Sequence, residues 1–346
     1  MKKHLDEDDV IPLLSHWGIT PAGDSLEIRA ISGGLSGAKI WSISHAGRQF
    51  CLRRWPPNHP APDHLRTIHR AIKHVWQAGL RIVPIPQKTL RGDSFITHEG
   101  HLWELSLWLS GEPLSNRNSN SQQRRAAFEA LAEFHLAANS FDSGENKSQF
   151  GPPPGLLLRQ KILANLLQGN LAELSQAVQL EPPSHIRETM AQMLRMIEKA
   201  LPETLAAVEK CSRVSLPLQW CLRDVHPGNI LITGKNVTGI IDFGATSFDS
   251  IAGDLARLIG GFDCEPIERQ ELLKAYGKIR PLTVEERRAV GAYLVGGLIS
   301  SAANWVRWLV VERSIPLANT TQARLAELAR QLGQPSSWEM EDAERF

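Results

Sequence analysis

The sequence predicts an α+β fold of two lobes, a small β-rich N-terminal lobe followed by a larger, mainly helical C-terminal lobe. Three observations carry this. Residues 25–54 and 89–109 alternate apolar and polar positions with period two, and glycine-rich turns interrupt them. From Gln122 onward the apolar spacing is helical, apart from a short hairpin pattern at 230–241. At 346 residues the chain has the length for two lobes, and the change of pattern near Trp108 divides it into 1–108 and 109–346.

Composition narrows the function classes. A hydrophobic fraction of 42% and a charged fraction of 22% are ordinary for a globular protein. With 38 basic against 37 acidic residues, no long-range field attracts nucleic acid or an anionic membrane. Four cysteines without CxxC spacing argue against a disulfide framework or a zinc site. The start, MKKHLDEDDV, has acids where a secretory signal would be apolar, so a reducing cytoplasm is expected. Ala289 to Val306 carries no charge over a nearly membrane-spanning length. Its serines, asparagine and glycines, with dense flanking charge, favour a buried helix begun by a Thr283–Glu286 capping box.

Taken in order, residues 1–20 predict an amphipathic helix with Val10, Leu13, Leu14 and Trp17 on one side. Strands follow at LEIRAI, AKIWSIS and FCLRRW. The turn Ser32-Gly33-Gly34-Leu35-Ser36-Gly37 would bring backbone N–H groups close to an anion. It equally suits a plain turn. In the third strand, alternation puts Cys51 and Arg53 on one face and Phe50 and Leu52 on the other. Beneath a nucleotide-covering loop, Cys51 would roof the base and Arg53 would reach the phosphates. Leu65 to Ala78 predicts a helix, RGDSFITHEG and HLWELSLWLS two strands, and Gln122 to Asn139 a helix with Phe128, Leu131, Ala132 and His135 on one face. Helices at 157–179 and 185–210 carry no catalytic pattern.

The densest chemistry lies in QWCLRDVHPGNILITGKNVTGIIDFGAT. Asp224 leaves a strand, Pro227-Gly228 turns the chain, and Asn229 follows five residues after Asp224. A hairpin through Ile230–Ile232 and Val237–Ile241 returns Asp242 beside Asn229. A carboxylate at 224 can take a proton from, or orient, an attacking hydroxyl. The amide at 229 and carboxylate at 242 offer hard oxygens to Mg²⁺, which neutralises phosphate oxygens. Asp254 opens a helix, where it would cap that helix or brace the loop around Asp224.

This stretch resembles the aminoglycoside phosphotransferase and choline kinase-like family, relatives of protein kinases that phosphorylate small molecules. The likeness runs through DVHPGNILI, VTGIIDFGAT and GDLARL, outward to ISGGLSGAKIW, FCLRRW, ELSLWLSGEPL and ALAEFHLAA, and across roughly residues 25–312. It implies a bilobal protein kinase-like fold, with ATP and Mg²⁺ as cofactors and a small-molecule hydroxyl as acceptor. By this resemblance Asp224 is the catalytic carboxylate, and Asn229 and Asp242 are the metal ligands. The loop of Ser32, Gly33, Gly34, Ser36 and Gly37 covers the phosphates and Arg53 pairs with them. Adenine meets Ser106, Leu107 and Leu109 at the hinge, with Cys51 above and Leu231 and Ile241 below. KIRPLTVEERRAV is similar to a stretch of homoserine kinase-like members, while Asp263, Glu265 and Glu268 would suit a cationic amine.

Three departures mark this chain. Leu222-Arg223 stands where the family commonly has His-Gly, and Arg53 where it often has Lys. The helix that normally gives that base a Glu partner has no acid between Asp63 and Gly92; His69 or His64 stands there instead. These departures leave a nucleotide-binding module without turnover as the alternative reading. A protein kinase is the nearer enzyme alternative, but nine residues between Gly244 and Asp254 leave no room for a long activation segment.

Overall fold

Alternation becomes sheet and the helical spacing becomes helix, giving an α+β chain. The computed structural model describes residues 7–21, 26–31, 37–57, 59–115, 119–144, 149–262 and 264–334. In chain order the elements are α1 (Glu7–Leu14), β1 (Glu27–Ile31), β2 (Lys39–His45), β3 (Arg48–Arg54), α2 (Pro62–Gln77), β4 (Ile96–His98), β5 (His101–Leu107), β6 (Glu112–Pro113) and α3 (Ser121–Ala138). Then come β7 (Phe150–Gly151), α4 (Pro154–Asn165), α5 (Leu171–Gln179), α6 (His185–Ser212), β8 (Leu216–Pro217), β9 (Gln219–Cys221), β10 (Ile230–Thr233) and β11 (Asn236–Ile240). The last are β12 (Ser247–Asp249), α7 (Ala252–Gly260), α8 (Pro266–Ile279), α9 (Val284–Val310) and α10 (Asn319–Gly333). Two compact units result, Met1–Glu145 with Pro227–Thr246, and Asn146–His226 with Ser247–Phe346.

In the first unit an antiparallel sheet runs in the order β1-β2-β3-β5-β4. Because side chains alternate across a strand, Phe50 and Leu52 of β3 share a face with Trp103 and Leu105 of β5. That face is the core. Val10, Leu13 and Leu14 of α1 pack on it beside Trp41 and Ile43, and Trp41 stacks on Trp103 at 5.5 Å. Fully burying each such side chain contributes about 1.5–3 kcal/mol. The opposite face carries Cys51, Arg53, Glu104 and Ser106. The helix expected over 1–20 ends at Leu14, followed by a 3₁₀ turn at Ser15–Trp17 and by Gly18 at φ 72°; residues 1–6 lie outside the described residues. Residues 32–36 of the glycine loop lie outside the described residues; Gly37 has φ 73°.

β10 and β11 form the expected hairpin, closed by Gly234 at φ 62°. It has a third strand the sequence pattern did not announce, since Glu112–Pro113 of the predicted hinge pairs with β10. Proline has no N–H to donate and so suits this edge position. Behind the hairpin lies α3, opened by a reciprocal Asn120–Gln123 capping box, with Phe128, Leu131, Ala132 and His135 wholly buried.

In the second unit α4, α5, α6, α7 and α10 pack around α9. The charge-free run is thus a core helix, opened by the predicted Thr283–Glu286 capping box. Its length and mean hydropathy of 1.3 would also allow it to span a membrane, yet 56% of that window is buried against its own unit. Where one helix was expected over 157–179, α4 and α5 are separated by a π turn with Gly169 at φ 145°. Glycine alone reaches that backbone region without a Cβ clash.

Candidate active site

Cys51 and Ser106 face each other across β3 and β5, as do Arg53 and Glu104. Burial pushes the Cys51 thiol up to about 11, against the lowering pull of Arg53, so it stays a neutral, weakly polar surface. Ser106 is buried, and the Leu107 N–H donates to the Ile85 carbonyl at 3.2 Å. Leu109 and Leu231 meet over Gly239, where any Cβ would stand 2.9 Å from Leu231 and 3.1 Å from Leu109. Of the six residues predicted to contact the base, Cys51 and Ser106 thus pair on the sheet and Leu109 meets Leu231 at the hairpin, whereas the Leu107 side chain packs against the core cluster on the opposite face.

Arg53 is the most constrained of the predicted residues. Its guanidinium lies over the Trp55 ring at 4.7 Å, with Nη1 donating to Asp242 Oδ1 at 3.1 Å and Nε 3.8 Å from Glu104 Oε1. Burial would lower its pKa, but the charges of Glu104 and Asp242 outweigh burial and hold it above the ordinary arginine value. The acid missing from the helix is thus present on β5. α2 supplies His69 to it, with Nε2 2.6 Å from Glu104 Oε2 and Nδ1 2.7 Å from Ser94 Oγ. Burial alone would raise the Glu104 carboxyl, yet the His69 hydrogen bond and the nearby charges of His69 and Arg53 bring it below the ordinary value.

The hairpin sets the two hard-oxygen residues. Asn229 is buried in the turn before β10, and its carbonyl accepts the Ile241 N–H at 2.9 Å. Asp242 follows Ile241 in a left-handed conformation, φ 63° and ψ 70°. A non-glycine residue there costs roughly 1–3 kcal/mol and persists only when its surroundings enforce it. They do: Phe243 is buried edge-on to Phe134, and a Cβ at Gly244 would stand 2.9 Å from the Trp55 ring. The strained residue is the one whose carboxylate meets Arg53.

In the second unit Asp224 is held by Arg257 of α7, whose Nη2 and Nε donate to Asp224 Oδ1 at 2.7 and 3.1 Å. Of the two roles open to Asp254, the brace is the one observed. It is wholly buried and accepts the Leu222 and Arg223 N–H groups at 2.7 Å each, while the helix start at Ile251 has no side-chain cap. Arg223, in the position where glycine is usual, has φ 68°. The strain is offset by its ion pair with buried Asp249 at 2.7 Å, and Asp249 also accepts from Tyr293 Oη at 2.8 Å. Arg223→Gly would relieve about 1–2 kcal/mol of left-handed strain. It would also leave a buried carboxylate without its cation, a loss of about 3–5 kcal/mol. A lower thermal midpoint is therefore expected, and an unchanged or higher one would show that Asp249 does not depend on Arg223.

The sequence matches the phosphotransferase enzyme family over residues 27–291. The chain belongs to this family. This phosphotransferase is 28% identical over 219 residues to a homoserine kinase of Gluconacetobacter diazotrophicus, a match covering 59% of the chain and 60% of that relative's length. Among solved structures it resembles an aminoglycoside phosphotransferase from Alicyclobacillus acidocaldarius, with a TM-score of 0.69 at 17% identity over 100% of this chain and 97% of the other. It also resembles a spectinomycin phosphotransferase solved with ADP and spectinomycin, with a TM-score of 0.66 at 16% identity over 99% and 98%. At such identities the structures establish the fold alone.

Three residues of the phosphotransferase escaped sequence reasoning. Glu104 was legible only as a lone acid inside an apolar strand. Arg257 lies one helical turn after Asp254, so the residue that braces 222–223 also sets the one that reaches Asp224. Asp249, at the end of β12, carries no local signal in the sequence.

Proposed function

We propose that this phosphotransferase moves the γ-phosphoryl group of ATP to the hydroxyl of a small molecule, and that the acceptor is an amino-acid-like alcohol of the homoserine kind. The observation that carries the reading is the contact of Arg53 with Asp242, which joins the phosphate-pairing position to a metal-ligand position. The homoserine kinase relative and the KIRPLTVEERRAV stretch support the acceptor class. The lobe boundary at 108 and a cytoplasmic location belong to the same reading.

Asp224 takes the proton of the acceptor hydroxyl while Arg257 fixes the carboxylate that receives it. The hydroxyl oxygen bonds to the γ-phosphorus, the bond to the β–γ bridging oxygen breaks, and ADP leaves with that electron pair. Arg53 holds phosphate oxygens. The donor set fits Mg²⁺: Asn229 offers an amide oxygen, and Asp242 a carboxylate that is 42% exposed, with Oδ1 toward Arg53. When bound there, the ion would neutralise charge on the phosphates. The glycine loop, Ser106, Leu107, Leu109, Leu231, Ile241 and Cys51 enclose the nucleotide in this reading.

The test is ATP consumption, with product identified by phosphorus NMR, across homoserine, choline, aminoglycosides and sugar alcohols. Turnover on homoserine or a close analogue is expected. Nucleotide binding without transfer to any of them would replace the enzyme by a binding module. Arg53→Ala is expected to raise the KM for ATP by about tenfold or more, the loss of a charge-assisted hydrogen bond. An unaltered KM would leave Arg53 only a structural partner of Glu104 and Asp242.

A further inference from the structure

We propose that Glu104 and His69 are the positioning residues of Arg53, so that the orienting acid stands on the sheet and the helix supplies the histidine that holds it. This rests on the phosphate contact of Arg53 proposed above. The two carboxylate oxygens of Glu104 have separate tasks. Oε1 faces Arg53 Nε, and Oε2 is 2.6 Å from His69 Nε2. A carboxylate can only accept, so His69 must donate from Nε2. Its other ring nitrogen, Nδ1, lies 2.7 Å from the Ser94 hydroxyl, which fixes the ring from the far side.

The consequence for Arg53 is geometric. Trp55 covers one face of the guanidinium, Glu104 stands at Nε, and Asp242 takes Nη1. Among the described residues none accepts from Nη2, so the free edge of the fork is the one available to a phosphate oxygen. Arginine recognises phosphate through this planar fork, and rotation of the plane would forfeit it. Lysine, a point charge, needs a partner for position but not for plane. The exchange of Lys for Arg therefore goes with a partner directly opposite on the neighbouring strand, and the vacated helix position is filled by a residue that bonds that partner.

Four variants test this, each read for folding by circular dichroism and for separate KM values and kcat. Glu104→Gln is expected to raise the KM for ATP about tenfold and leave the KM for the acceptor unchanged. His69→Gln keeps an N–H donor toward Glu104 and should stay within about twofold of the unsubstituted protein. His69→Leu removes the donor and should resemble Glu104→Gln. In the Arg53→Ala background Glu104→Gln should have no further effect on ATP, because the residue it positions is gone. Additive effects in that pair, or equal rises in both KM values, would overturn the assignment. If Glu104→Gln does not fold, the two His69 variants decide, since a packing role would not separate them by donor. An unaltered KM for Arg53→Ala removes the phosphate contact itself; a raised one with a normal Glu104→Gln removes only the positioning role.

Discussion

Asp224→Asn is expected to lower kcat by about 10²–10⁴-fold, the range for loss of a positioned general base, while ATP binding stays within about twofold. The substitution is nearly isosteric, and the braces on this loop lie elsewhere. Asp254 still accepts the two N–H groups at 222 and 223, and Arg223 still pairs with Asp249. Stability should therefore change little: the Arg257 pair it weakens is about two-fifths exposed on both sides, and exposed pairs contribute about 0–1 kcal/mol. Single-turnover kinetics with saturating ATP gives the rate, and a thermal shift with ADP gives the binding. Retained turnover would move the catalytic role away from Asp224, and lost binding would make the residue structural.

Asp242→Asn should cost about 3 kcal/mol of transition-state stabilisation, roughly a hundredfold in kcat, and shift the Mg²⁺ titration to higher concentration. Asparagine is the informative replacement because it tolerates the left-handed backbone that Asp242 adopts, whereas alanine would add strain. Arg53 would keep Glu104 as its counter-charge, so the unit should remain folded. A Mg²⁺ dependence identical to that of the unsubstituted protein would exclude Asp242 as a metal ligand.

Much of the fold was legible because its signals are local. Strand alternation and the Thr283–Glu286 capping box depend on residues a few positions apart, and they emerged as read; the Asn120–Gln123 box is equally local but went unread. The closeness of Asn229 and Asp242 was legible for the same reason, since the hairpin between them converts sequence distance into position. Glu104 was not. The family pattern places the partner of Arg53 on the helix between Asp63 and Gly92, but the acid opposite it depends on the register of β3 against β5, which no local pattern states. The break at Gly169 and the pairing of Glu112–Pro113 with β10 escaped likewise. One is a single residue inside helical spacing, and the other joins segments more than a hundred residues apart.

The cross-strand placement of Arg53 and Glu104 also bears on how such an enzyme is governed. In protein kinases the comparable pair forms only when a mobile helix swings into place, which lets phosphorylation turn activity on and off. Here the two residues are opposite each other in a hydrogen-bonded ladder, and separating them means taking the sheet apart. Movement of α2 could withdraw His69 but not the acid. The pairing of Arg53 with Glu104 is thus set when β3 and β5 come together in the folded sheet.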